Sequence, residues 1–258
     1  MQYAIYGGAS VSKEAIIALP PLGERKEIFS SLGSVLRGHR IISFDLPGHN
    51  GEVDMSLTNY LKGIHHVLNQ LEISEAHFIG NSIGAWIIQK YYGTYPKEVL
   101  SLTLLDGGYY PINERPSEYI QLPIIHKNDF IPAIKEHCQQ MSKLTNETSE
   151  VLFSYLKNNF ILTGEEYKHH SDEKAVNRLI QQIHTDSSYY LRKYDIPLQL
   201  LIADLNLDDM SKTKLTAFTK EHPNTDVYHI NNGYHFLPIT NTKEVAEKIN
   251  QLMIVANS

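Results

Sequence analysis

The chain has 258 residues but a single cysteine, Cys138. It cannot close an internal disulfide, and no second cysteine gives it a metal-ligand spacing, so a reducing, cytoplasmic setting is expected. A lone cysteine in a polar helical stretch is more often inert than nucleophilic. Positive charge is also short: 23 basic residues stand against 29 acidic ones, for a formal net charge of -6. Phosphate backbones need a basic surface, so nucleic acid is not an expected partner, and an anionic membrane surface is disfavoured for the same reason. Long apolar runs are missing too. Residues 15–22, interrupted by Pro20 and Pro21, are far too few to cross a bilayer. Residues 1–8 have neither a basic n-region nor a long apolar stretch, so no secretion signal is expected. There is no phosphate loop, no G-x-G-x-x-G, no internal repeat and no low-complexity linker. Asp204-x-Asn206-x-Asp208 imitates the opening of a calcium loop, but Asp209 stands where glycine is needed and Leu215 where the last acidic ligand belongs. The adjacent pairs His65-His66 and His169-His170 make poor metal sites, because neighbours on a helix face different ways. No metal and no cofactor is expected; a small molecule is the natural partner.

What is present is an ordinary globular composition, 42% hydrophobic and 20% charged, long enough for one large core or a core with an appended subdomain. Over the first 110 residues, short apolar runs at 15–19, 40–44, 76–79 and 100–105 alternate with helical patterns at 28–37, 57–71 and 83–95. This is the rhythm of βα units around a parallel sheet, whose crossovers are right-handed and cover both faces. Residues 110–194 read differently, with weak strand signals and helical spacing at 130–144 and 150–160. Strand signals return at 198–202 and 225–230, followed by a helix at 242–253. An α/β core of residues 1–109 and 195–258, interrupted by a mainly helical insertion at 110–194, is the simplest architecture. The insertion is either a packed decoration or a lid over a pocket, and its point of entry favours the lid.

Chemistry concentrates at Gly80-Asn81-Ser82-Ile83-Gly84, between the apolar run 76–79 and the helical run that follows. A sharp strand–turn–helix junction crowds the backbone, so small residues must flank the serine, whose oxygen then stands clear of the sheet. There the Ile83 N–H is available to a developing oxyanion. The plain alternative is an ordinary strand-to-helix turn. A second signal, Gly233-Tyr234-His235-Phe236, follows the strand at 225–230. A lone loop histidine is usually only a solvated residue, but this one lies where open α/β sheets collect catalytic groups and comes after the serine in the chain, as a nucleophile–base pair of this type requires.

With these motifs the chain resembles the α/β-hydrolases. Phe44-Asp45-Leu46-Pro47-Gly48-His49 is similar to their D-x-P-G-x-G segment. The stretch from Gly80 to Val99 resembles their nucleophile helix and its exit, and Gly233 to His235 resembles their G-x-H segment. The resemblance covers nearly the whole chain outside the insertion and is nearest to small bacterial hydrolases of esterase, lipase and C–C hydrolase type. It implies a mostly parallel eight-stranded sheet flanked by helices, with a helical lid.

Two departures stand out. Where many members carry His-Gly after the first core strand, this chain has Pro20-Pro21-Leu22-Gly23. Proline has no N–H, so the second oxyanion donor falls to Leu22 or Gly23, with Leu22 preferred. The final glycine of the D-x-P-G-x-G segment is Asn50, followed by Gly51, a change confined to a turn. The triad acid is open as well. The usual family position lines up with Asn206, which carries no charge, among Asp204, Asp208 and Asp209. Another family layout, that of members related to haloalkane dehalogenases, places the acid after the strand that follows the nucleophile helix. Here that residue is Asp106, which lies 24 residues after Ser82, the span of one helix, a short loop and one strand. Asp106 is preferred and Asp208 is the alternative. Each has a plain role as well: Asp106 beside the Gly107-Gly108 turn, and Asp208 as cap of a helix beginning near Lys212. The expected activity is hydrolysis of a small-molecule ester, thioester or related carbonyl compound by Ser82, His235 and Asp106, with Leu22 and Ile83 holding the oxyanion and Tyr109 and Tyr110 as candidate pocket walls. A cofactor-free lyase using the same groups, and a low-turnover ligand sensor such as some bacterial stress regulators of this fold, are the alternatives.

Overall fold

Residues 15–19 are buried along their whole length, and alternate side chains enter two different apolar clusters. Ala15, Ile17 and Leu19 face one, Ile16 and Ala18 the other. A strand with period-two side chains and no polar face can exist only with helices on both sides of its sheet. The computed structural model describes residues 1–8, 14–110, 119–185 and 193–256. In chain order the first elements are β1 (Tyr3–Gly7), β2 (Ala15–Leu19), α1 (Ser30–Val35), β3 (Arg40–Phe44), α2 (Leu57–Gln70), β4 (Ala76–Asn81), α3 (Ile83–Thr94) and β5 (Val99–Leu105). There follow β6 (Ile124–His126), α4 (Lys127–Leu144), α5 (Ser149–Leu156), β7 (Phe160–Thr163), β8 (Glu166–His169) and α6 (Glu173–Thr185). The chain closes with β9 (Leu198–Ala203), α7 (Asp209–Glu221), β10 (Asp226–Ile230), α8 (Leu237–Thr240) and α9 (Thr242–Ala256).

The central sheet runs β1-β3-β2-β4-β5-β9-β10. All neighbours are parallel except β1, which pairs antiparallel with β3 at one edge. Among the described residues it therefore has seven strands, one fewer than the resemblance implies. Strand β1 carries no sequence signal of a buried strand because it is not one: its residues are half-buried or exposed. Helices α2, α3 and α7 bury their apolar stripes in the first cluster, and α1, α8 and α9 in the second. Ser56 caps α2 by accepting the N–H of Asn59 at 3.3 Å, so the apolar period at 57–68 starts from a satisfied N-terminus.

The insertion contains helices, as its spacing implies, but not helices alone. Strands β6, β8 and β7 form a separate three-stranded antiparallel sheet. The helical pattern at 150–160 ends at Leu156, passes through a turn of 3-10 helix and becomes β7 at Phe160. These strands are four residues or fewer, too short for an alternating pattern to register. Phe130 of α4 stacks on Tyr167 of β8 with ring centroids 3.7 Å apart, fixing the small sheet to its helix. The ends of the insertion at 111–118 and 186–192 lie outside the described residues.

Candidate active site

Strands β4 and β5 are parallel, with Asn81 in register with Leu105, so the residue after each emerges at one sheet edge. Those residues are Ser82 and Asp106. Ser82 has φ 52° and ψ -121°, a strained conformation for a residue with a Cβ. The crowding that sequence spacing implies is literal. A Cβ on Gly80 would lie 2.3 Å from the carbonyl of Gly84, and one on Gly84 would lie 2.3 Å from the Leu19 oxygen. The turn is braced from the next strand too: Ser82 N–H donates to the Leu105 carbonyl at 2.8 Å, and a Cβ on Gly107 would meet the Ser82 backbone at 2.7 Å.

His235 lies beyond β10, in the loop before α8. Its Nδ1 is 2.6 Å from Asp106 Oδ2, while Asp106 Oδ1 accepts the Ala203 N–H at 3.1 Å. The carboxylate side chain is 7% exposed and the imidazole 36%. The acid is thus shielded while the ring keeps an accessible face. A carboxylate only accepts, so Nδ1 carries the proton and Nε2 presents a lone pair. Asp208 behaves otherwise. It caps α7, accepting the Ser211 N–H at 2.7 Å, and Asp209 pairs with Lys212. The structure brings Asp106, not Asp208, to His235.

Ile83 is the first residue of α3, so its N–H has no acceptor within the helix. Leu22 occupies the second position of a turn closed by Glu24 N–H to the Pro21 carbonyl at 3.1 Å, with Gly23 following at φ 82°; positive φ at that third position is what a type II turn demands of glycine. Of the two amides, Gly23 N–H donates to His49 Nε2 at 2.9 Å, whereas Leu22 N–H has no hydrogen-bond partner among the described residues. Tyr109 and Tyr110 are both buried; Trp86 Nε1 donates to the Tyr110 carbonyl at 2.9 Å, so these tyrosines are wedged against α3.

Three contributors escaped the sequence. Asn81, an unassigned position in the serine motif, donates from Nδ2 to the carbonyls of both Leu105 and His235 at 3.0 Å, tying the serine turn to the histidine loop. Glu24 is buried directly after the Leu22 turn, and its Oε2 accepts from Tyr155 Oη at 2.7 Å and Asn159 Nδ2 at 2.8 Å, both from the insertion. Burial pushes its carboxyl up to about 7 against those two bonds, and His235 is near enough for its charge to act on it. His170 is the third; it comes from a pair that reads in sequence only as a poor metal site, and it donates to the Gly23 carbonyl at 2.9 Å. Only Asn81 lay inside a recognisable motif.

A family model described as the alpha/beta hydrolase fold matches residues 14–242. The chain belongs to this family. Among curated proteins it is 28% identical to mouse (Mus musculus) monoacylglycerol lipase ABHD6 over 153 residues, 54% of this chain and 46% of that protein; the chain thus spans about half the length of the mammalian relatives it matches. It is 24% identical to lipase 3 of Moraxella sp. (strain TA144) over 250 residues, 92% of this chain and 76% of that one. The fold is shared with E-2-(acetamidomethylene)succinate hydrolase, whose crystal structure superposes with a TM-score of 0.75 at 14% identity, covering 97% of this chain and 94% of the other. Within this α/β-hydrolase, no helix among the described residues is long and apolar enough to cross a membrane.

Proposed function

We propose that this α/β-hydrolase is a serine hydrolase acting on a small carboxylic ester, thioester or related carbonyl compound. The observation that carries the proposal is the 2.6 Å pairing of His235 Nδ1 with the shielded Asp106 carboxylate, at the sheet edge where the strained Ser82 turn emerges. Kinship with proteins named lipases supports an ester as the substrate class.

In this reading His235 Nε2 takes the proton of Ser82 Oγ as that oxygen attacks the carbonyl carbon. Asp106 holds the ring in the productive tautomer and stabilises the imidazolium. The N–H groups of Leu22 and Ile83 donate to the oxyanion; a single such donor is commonly worth about 3 kcal/mol in the transition state. The proton on Nε2 passes to the leaving alkoxide or thiolate. Water, deprotonated by the same nitrogen, then releases the acid from Ser82. Residues 110–194 serve as the lid. Support comes from Tyr155, Asn159 and His170, which all bond the segment Gly23-Glu24 beside the proposed oxyanion donors.

The test is covalent. A fluorophosphonate is expected to label the protein once, and Ser82→Ala is expected to abolish labelling. Equal labelling of the variant would refute the assignment.

A further inference from the structure

Gly23 sits between two imidazoles. Its N–H donates to His49 Nε2 at 2.9 Å and its carbonyl accepts from His170 Nε2 at 2.9 Å. The other nitrogen of each ring is also bound to main chain: His49 Nδ1 lies 2.9 Å from the Pro47 carbonyl, and His170 Nδ1 accepts the Asn50 N–H at 2.9 Å. A ring nitrogen that receives an N–H must be bare, and one that faces a carbonyl must carry the proton. The bonding pattern therefore defines opposite tautomers, Nδ1–H for His49 and Nε2–H for His170, and both rings are neutral. Two consecutive peptide groups after Leu22 are held in this way, while the Leu22 N–H itself has no partner among the described residues.

We propose that His49 and His170 are positioning residues for the oxyanion loop, clamping the Gly23 peptide so that the Leu22 N–H keeps its aim. This rests on the hydrolase reading above. One imidazole comes from the core segment after β3 and the other from the insertion, so the clamp makes the insertion part of the catalytic scaffold. The insertion is seated on that core segment: Asp172 N–H donates to the Gly48 carbonyl at 2.7 Å, and a Cβ on Gly48 would lie 2.2 Å from that of Ala175. The groups around the pair favour neutrality. Burial pushes His49 down to about 4 and His170 down to about 2, with His169 acting in the same direction on both and Arg25 on His170. Nearby, the Asp45 carboxylate accepts from the Asn50 side chain and from Lys26, and Glu24 is bonded to Tyr155 and Asn159.

Two measurements test the clamp. Long-range proton–nitrogen NMR of the intact protein is expected to show two neutral histidines of opposite tautomer that do not titrate between about pH 5.5 and about pH 8; a charged ring or matching tautomers at these positions would overturn it. Second, ester turnover is measured per fluorophosphonate-titrated site. His49→Ala and His170→Ala are each expected to lower kcat about 10- to 100-fold with little change in KM, because the lost aim matters only once negative charge develops. His49→Gln, whose amide oxygen can stand where Nε2 stands, is expected to recover most of the rate. A merely structural role would lower the number of titratable sites and leave turnover per site intact, and that result overturns the clamp alone. A wild-type protein that takes no label overturns the hydrolase reading on which the clamp rests.

Discussion

Replacing Glu24 by glutamine isolates the cost of burying one acid. Gln keeps an oxygen that can accept from Tyr155 and Asn159, so the 2.7 and 2.8 Å bonds survive in kind while the ionisation disappears. Burial raises this carboxyl from an ordinary 4.5 to about 7. Below about pH 4.5 Glu24 is protonated in the folded and unfolded chains alike, and wild type and variant should be equally stable. As pH rises, the unfolded chain ionises first, and the folded chain must either hold the proton or bury the charge. Wild-type stability is therefore lost progressively up to about pH 7, by at most about 3 kcal/mol at about 1.36 kcal/mol per tenfold change in the ionisation equilibrium. The advantage of Glu24→Gln should grow across that window and level off above it. At 2–4 °C per kcal/mol for a chain of this class it reaches roughly 6–12 °C in Tm. Protonation of His49 and His170 acts in the opposite direction as pH falls, but both chains share it and it cancels in the difference. Thermal melts of the two proteins side by side from about pH 4.5 to about pH 8.5 provide the measurement. A difference that is flat with pH, or that shrinks as pH rises, would mean that Glu24 is held as a stabilised carboxylate and would sink the argument.

Asp106→Asn should cost on the order of 10⁴ in kcat because it no longer orients a protonated Nδ1. Asp208→Asn should keep its activity and its cap, since asparagine caps helices about as well; an inactive Asp208→Asn beside an active Asp106→Asn would reverse the assignment. Gly107→Ala places a methyl 2.7 Å from the Ser82 backbone and should lower both labelling rate and Tm, whereas unchanged labelling would show that the serine turn is not braced there. Asn81→Ala removes two bonds at 3.0 Å and should destabilise by about 1–3 kcal/mol in chemical denaturation, a midpoint equal to wild type being the contrary result. Cys138 is fully buried and its thiol is pushed up by that burial, so it should resist a thiol reagent until the protein unfolds; rapid modification of the native protein would contradict its place in the core.

Much of this fold is local and so was readable in the chain. The run 15–19 is apolar without alternation, a pattern that only a strand buried on both faces tolerates. An amphipathic period that starts from the Ser56 cap similarly sets α2, whereas α3 is buried on nearly all sides and has no side-chain cap. The serine motif was legible because part of its spacing answers to a local contact, Gly80 against Gly84, although Gly84 also packs on the distant Leu19 carbonyl. His235 was legible from its order after the serine and its place beyond a strand. Where the signal was short or exposed, sequence failed: β1 has no buried face, and β6, β7 and β8 hold four residues or fewer.

Residue order alone makes legible a layered α/β chain with a serine on a tight turn and a histidine near its end, because chain sterics and side-chain periodicity act over a few neighbouring residues. It left Asp106 and Asp208 as competing acids and Leu22 and Gly23 as competing donors. Those choices depend on which strands lie side by side and which amides are already bonded. Tertiary contacts separate the candidates by their surroundings: they bring residues 129 positions apart, Asp106 and His235, to 2.6 Å, and occupy Gly23 N–H with a histidine 26 positions away. Glu24 and His170 belong to the same category. Neither has a local signature, since burial of an acid and the tautomer of an imidazole depend on partners that only the folded chain brings into contact.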